Sequence, residues 1–182
     1  SADQTAGFGK NDMLSARNTE AAAGATNISL KFAHAMAMVQ VSLMEGTTSD
    51  ANATVTLQSI LPVTSVNAKD GSVTAASGAS VGVAMKKAAE SLTYRAVVPE
   101  QTIKAGSKLL TIVADGKTFN VTFDADVKYE RGKFLQITVN KLNALPDGAE
   151  VTISGKLING WAPGENPEGG ETEEVPLIQK VN

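Results

Sequence analysis

The sequence predicts an all-β domain, an antiparallel β-sandwich, on three observations. Short segments alternate apolar and polar residues with the period of an extended chain. Gly, Pro and Asp-Gly turn signals separate them, and no apolar pattern of helical spacing recurs. At 182 residues and 42% hydrophobic, the chain is long enough for one sandwich-sized core. Only 4% of residues are aromatic, so the interior volume has to come from Val, Ala, Leu and Ile, a composition suited to pleated strands.

Residues 1–26 are small and polar without sustained alternation, and read as a lead-in with at most one short strand or turn. The sandwich is expected over residues 27–182. Residues 28–44 are expected to form one long strand at its heart. Ile28, Leu30 and Phe32 share one face, whereas Val39, Val41 and Leu43 occupy the opposite parity, so the buried face switches, through a bulge or a passage between sheets. Residues 33–38 also suit a helix, because Leu30, Ala33, Ala37, Val41 and Met44 keep a helix-like spacing.

Further strands are predicted over residues 54–60, 63–66, 92–98, 109–113, 118–123, 134–139 and 151–154, with Leu157 and Ile158 beyond. The Asp115-Gly116 pair favours the positive-φ turn that closes a tight hairpin. A Gly/Pro/Glu-rich stretch, residues 163–174, precedes a last strand over residues 175–181.

Several classes of function are disfavoured. With 16 Lys plus Arg against 19 Asp plus Glu, the net charge of −3 supplies no footprint for nucleic acid or an anionic membrane. No apolar run reaches the length of a membrane-spanning helix. The absence of cysteine excludes disulfides, thiolate metal sites and a thiol nucleophile. No catalytic residue, cofactor or metal is expected. His34 is the single histidine, so any Ser-His-Asp relay would be built on it, and its apolar setting favours a hydrogen-bonded structural role.

Asp124 and Asp126 have the spacing of some calcium loops without the further ligands, and read as solvated carboxylates at a strand end. Asp147 and Glu150 read as turn chemistry, and Glu165, Glu168, Glu171, Glu173 and Glu174 as a solvated loop. Residues 78–86 are glycine-containing but lack the Gly-Lys-Ser/Thr end of a phosphate loop, and read as a flexible loop. Trp161 is a candidate sugar contact, set against a strand-terminating role. Val175, Leu177 and Val181 lie on one face of the terminal segment, and Pro176 removes a backbone donor. That pattern suits an ordinary edge strand, or a strand added to a neighbouring subunit's sheet.

A resemblance runs through these segments. Asp3-Gln4, residues 11–16, residues 30–37, residues 96–101, the Asp115-Gly116-Lys117 hairpin, Gly132-Lys133-Phe134 and residues 153–161 occur in an order that resembles the fimbrillin family of the Bacteroides group. That family comprises the subunits of protease-processed (type V) pili and the related Mfa-like surface proteins. The resemblance implies a Greek-key, transthyretin-like sandwich, export as a lipoprotein precursor to the outer membrane, and assembly into fimbriae by strand donation after proteolytic trimming. It also implies that the chain is partial, with residues 1–25 the end of an upstream domain and its linker. Partners are then other fimbrial subunits and host or bacterial surface ligands, at the cell surface. A cell-surface carbohydrate-binding module using Trp161 is the alternative of another class.

Overall fold

The computed structural model describes residues 1–16, 24, 26–27, 30, 32–44, 48, 50–89, 91–140, 142, 150–154 and 176–180. After a 3-10 turn at Gly9–Asn11 come fourteen strands among the described residues. They are β1 (Leu14–Ala16), β2 (Phe32–His34), β3 (Ala37–Leu43), β4 (Thr54–Ile60), β5 (Val81–Ala84), β6 (Lys86–Lys87) and β7 (Thr93–Val98). There follow β8 (Gln101–Ile103), β9 (Lys108–Ala114), β10 (Lys117–Thr122), β11 (Val127–Tyr129), β12 (Phe134–Val139), β13 (Glu150–Ser154) and β14 (Pro176–Lys180). The helical alternative for residues 33–38 is not realised, since β2 and β3 flank a bend at Ala35 and Met36.

Two four-stranded sheets form the sandwich, in the orders β10-β9-β4-β5 and β12-β3-β7-β6. Three two-stranded ribbons, β1-β2, β11-β8 and β13-β14, complete the pairing. The named strands pair antiparallel with one exception, β12, which runs parallel to β3 from Phe134↔Met38 to Val139↔Leu43. Side-chain alternation explains the core. Val39, Val41 and Leu43 of β3 and Tyr94, Ala96 and Val98 of β7 point inward. They meet Val55 and Leu57 of β4, Leu110 and Ile112 of β9, and Val121 of β10 from the facing sheet. Burying a Val or Leu side chain contributes about 1.5–3 kcal/mol each, so this two-sided apolar layer dominates the fold's stability.

Two bulges adjust that alternation. In β4, Ile60 faces the core although Val55 and Leu57 have odd parity, because Ser59 takes a positive φ of 61° and shifts the register against β5. Ser59 Oγ fixes the kink by donating to the Lys108 carbonyl at 2.8 Å. Opposite Val121 and Thr122, β9 carries an extra residue, which lets both Leu109 and Leu110 be buried.

Several strand predictions hold, with corrections. The single long strand over residues 28–44 is broken: β2 leaves the main sheets to pair with β1, and Leu30 and Phe32 are exposed instead of sharing a buried face. The predicted strand over residues 63–66 reduces to isolated bridges, Val63↔Ser77 and Val66↔Val73, inside an excursion between β4 and β5. Residues 78–86 are not simply a loop, since they contain β5 and the start of β6. Strand β5 fits beside β4 because Gly82 has no side chain, a Cβ there lying 3.1 Å from Thr56 Cγ2. The Asp115-Gly116 hairpin is formed as expected, with φ of 52° and 72°.

Candidate assembly interface

With catalytic machinery not indicated by the sequence, sheet edges become the chemically interesting surface, because an unpaired strand presents a row of donors and acceptors. Strand β6 is only two residues long and covers β7 at Arg95 and Tyr94, leaving the edge of β7 uncovered at Val97. The N-terminal segment fills that gap. Gln4 Oε1 accepts the Val97 N–H at 3.0 Å, and Gln4 Nε2 donates to the Val97 carbonyl at 2.8 Å.

The backbone of the same segment serves the opposite sheet. Gln4 N–H donates to the Ala84 carbonyl at 3.0 Å, and Ala84 N–H donates to the Ala2 carbonyl at 2.8 Å, a parallel bridge centred on Asp3. Residues 2–4 are therefore a strap joining the edge of β5 in one sheet to the edge of β7 in the other. Gln4 is the one buried polar residue among those described, at 2% exposure, and both ends of its amide are satisfied. Lys86 Nζ ties the strap further by donating to the Ala6 carbonyl at 3.0 Å. Phe8, like Phe134, then packs against the cluster of Met36, Met38 and Val97, covering part of the outer face of the second sheet. Asp3 has its carboxyl held below the usual range by the Thr5 hydroxyl, then by the Thr5 N–H.

At the other end of the chain, β14 pairs antiparallel with β13, with Leu177 opposite Ile153. Among the described residues its second edge has no partner strand. Strand β13 in turn runs close to β12, at the margin of the second sheet. Val175, Val181 and Trp161 lie outside the described residues, as do Asp147, Leu157, Ile158 and residues 163–174.

His34 closes β2 and is held by a carboxylate that the linear sequence does not single out: both oxygens of Asp12 lie 2.9 Å from Nδ1. Such a partner places the proton on Nδ1. The two side chains are 16% and 15% exposed, and the space beside them, between Met36, Met38 and Lys133, is too small to admit a water molecule. The pair fastens the turn after Gly9–Asn11 to β2. Asp126 is drawn below the usual carboxylate range by Lys104 Nζ, at 2.8 Å, and by the Ala105 N–H. No group of three or more His, Cys, Asp or Glu side chains converges among the described residues.

The described residues form a two-sheet sandwich whose β5 and β7 edges are bridged by the N-terminal strap. The chain belongs to the fimbrillin-like family, whose model matches residues 1–161. Among curated proteins none matches. Solved structures share the fold. A candidate cell adhesion protein from Bacteroides uniformis is 18% identical, with a TM-score of 0.58 over 74% of this chain and 54% of its own. One from Bacteroides ovatus is 20% identical, with a TM-score of 0.56 over 76% of this chain and 49% of its own. A third, from Bacteroides thetaiotaomicron, is 23% identical, with a TM-score of 0.51 over 69% and 56%. The chain thus spans about half the length of the structures it matches.

Proposed function

We propose that this chain is a non-enzymatic structural or adhesive subunit of cell-surface fimbriae and joins other fimbrial subunits by β-strand addition. The observation that carries the reading is the pairing of β14, which has one edge on β13 and no partner strand on the other among the described residues. An extended segment of that kind offers main-chain hydrogen bonds for affinity, and the sequence alternation of Val175, Leu177 and Val181 makes them the candidates for register. Membership of the fimbrillin-like family supports the same assignment. Export to the cell surface belongs to this reading.

The test is removal of residues 171–182 from the full-length subunit, followed by electron microscopy and gel ladders for polymers and by circular dichroism for the fold. The reading expects a folded monomer that no longer assembles. Polymers of normal length from the truncated subunit would overturn it.

A further inference from the structure

Strand β10 ends the first sheet, and among the described residues no strand pairs with its outer edge. Other sheet edges are blunted. The strap covers β5 at Ala84, β6 is two residues long and both are Lys, and β14 holds Pro176 and Lys180. In β10 the run from Thr118 to Thr122 has neither a charge nor a proline, and the nearby bulge puts its extra residue in β9.

The two-residue turn at Asp115-Gly116 fixes which main-chain groups that edge presents. It makes Ala114 and Lys117 the closing hydrogen-bonded pair, and such pairs alternate along an antiparallel ladder. The N–H and C=O groups of Lys117, Phe119 and Val121 are therefore turned to β9, and those of Thr118, Asn120 and Thr122 point outward. Spaced evenly about Asn120, these outward groups are complementary to themselves under a two-fold axis. With Asn120 opposite Asn120 of a second copy, Thr118 and Thr122 lie opposite one another, and the donors and acceptors of all three residues are met. On the core side Phe119, only partly buried in one sandwich, comes opposite the second copy's Val121. Charge agrees with this register. No like charges are opposed, and at each end Lys117 lies beside Asp124 of the other copy, while neither side chain has an ion pair among the described residues of its own.

We infer that two copies of this chain pair antiparallel through β10, their first sheets joining into one sheet of eight strands, four from each copy, about an axis at Asn120. The contact closes at two copies. A single strand from each copy makes a small interface, so a dissociation constant on the order of 100 µM is expected. The site is separate from the edge of β14 and does not depend on the fimbrial reading.

The chain has no cysteine, so single cysteines can report the register. Under mild oxidation at about 100 µM, Asn120→Cys should form a covalent pair at least tenfold faster than Thr118→Cys, because residue 118 meets residue 122 and not itself. Asn120→Lys sets two ammonium groups face to face and should weaken pairing at least tenfold by sedimentation equilibrium. An equal mixture of Asn120→Lys and Asn120→Asp should pair again, which a folding defect would not allow. A chain that sediments as a single copy at about 1 mM, equal cross-linking at the two positions, undiminished pairing of Asn120→Lys, or a mixture that stays unpaired would each overturn the inference. So would a peptide of residues 175–181 that blocks the cross-link, since the occupant of the edge would then be the terminal strand of another copy.

Discussion

The side chain of Gln4 reproduces a rung of β-sheet on Val97, accepting from its N–H at 3.0 Å and donating to its carbonyl at 2.8 Å. A primary amide has the donor and acceptor of a peptide group, and here it continues a ladder that β6 leaves unfinished. Replacing Gln4 with Ala removes both bonds and leaves two main-chain groups of Val97 with no protein partner. Leaving a buried donor or acceptor unpaired costs about 1–3 kcal/mol, so Gln4→Ala should lower stability by about 2–4 kcal/mol. Gln4→Glu retains the acceptor, loses the donor and buries a charge, and should do no better. Urea unfolding of the three proteins measures both effects, and a loss below about 0.5 kcal/mol would show that the strap carries no weight.

The two tyrosines should separate cleanly on conversion to Phe. Tyr94 Oη donates to the Ala53 carbonyl at 2.6 Å, whereas Tyr129 Oη is buried with no partner among the described residues. Tyr94→Phe should therefore cost about 1 kcal/mol and Tyr129→Phe nothing, or be slightly stabilising. Thermal unfolding of each variant decides the order.

Alkaline pH probes the same pair. Burial pushes the Tyr94 hydroxyl from 10.0 up to about 12, with a smaller contribution from the Asp50 charge, and burial also raises Tyr129. A phenol whose folded value is raised favours the native state while neutral. Its contribution is intact below pH 10 and is lost as pH rises through the folded value. Absorbance at 295 nm should show no tyrosinate in the native protein at about pH 10.5, and stability should fall steeply above about pH 11.

His34 and Asp12 should be energetically coupled to one another. A double-mutant cycle with His34→Ala and Asp12→Ala should give a coupling of about 0.5–1 kcal/mol, the magnitude of a partly screened pair. Additive effects of the two substitutions would refute that link.

At the β9–β10 turn, Gly116 has a φ of 72°, which costs an L side chain strain that Gly avoids. Gly116→Ala should reduce stability by about 1 kcal/mol without changing the fold, as read by urea unfolding and circular dichroism.

The long strands were legible because their residues alternate over enough length to be distinctive. Thr54 to Ile60 and Phe134 to Val139 each show the period of a half-buried strand, and both occur where the pattern puts them. Strands of two to four residues gave no such signal. In β5 the run Val81-Gly82-Val83-Ala84 has no polar alternation, and in β8 and β11 there are only three residues from which to read a period. The break between β2 and β3 was hidden because Ala33 to Met38 are apolar apart from His34, so neither parity nor polarity marks the bend at Ala35 and Met36. The parallel direction of β12 was equally invisible, since alternation is the same in either sense.

The strap was unreadable for a different reason. Gln4 stands among small polar residues, and its role arises from contact with Val97, far along the chain. Likewise Asp12 gains meaning only when the fold brings it to His34. Alternation reports which face of a strand is buried; it carries no information about which distant group completes a hydrogen bond.

The placement of β3 also governs how quickly the molecule can form. Both its neighbours, β7 and β12, lie much further along the chain, and β12 aligns only after every intervening strand has been traversed. The middle of the second sheet consequently requires two large loop closures before its contacts can offset the lost chain entropy. A topology of this kind places folding on the millisecond-to-second scale. During that interval Val39 and Val41, completely sealed in the finished sandwich, are open to wrong partners.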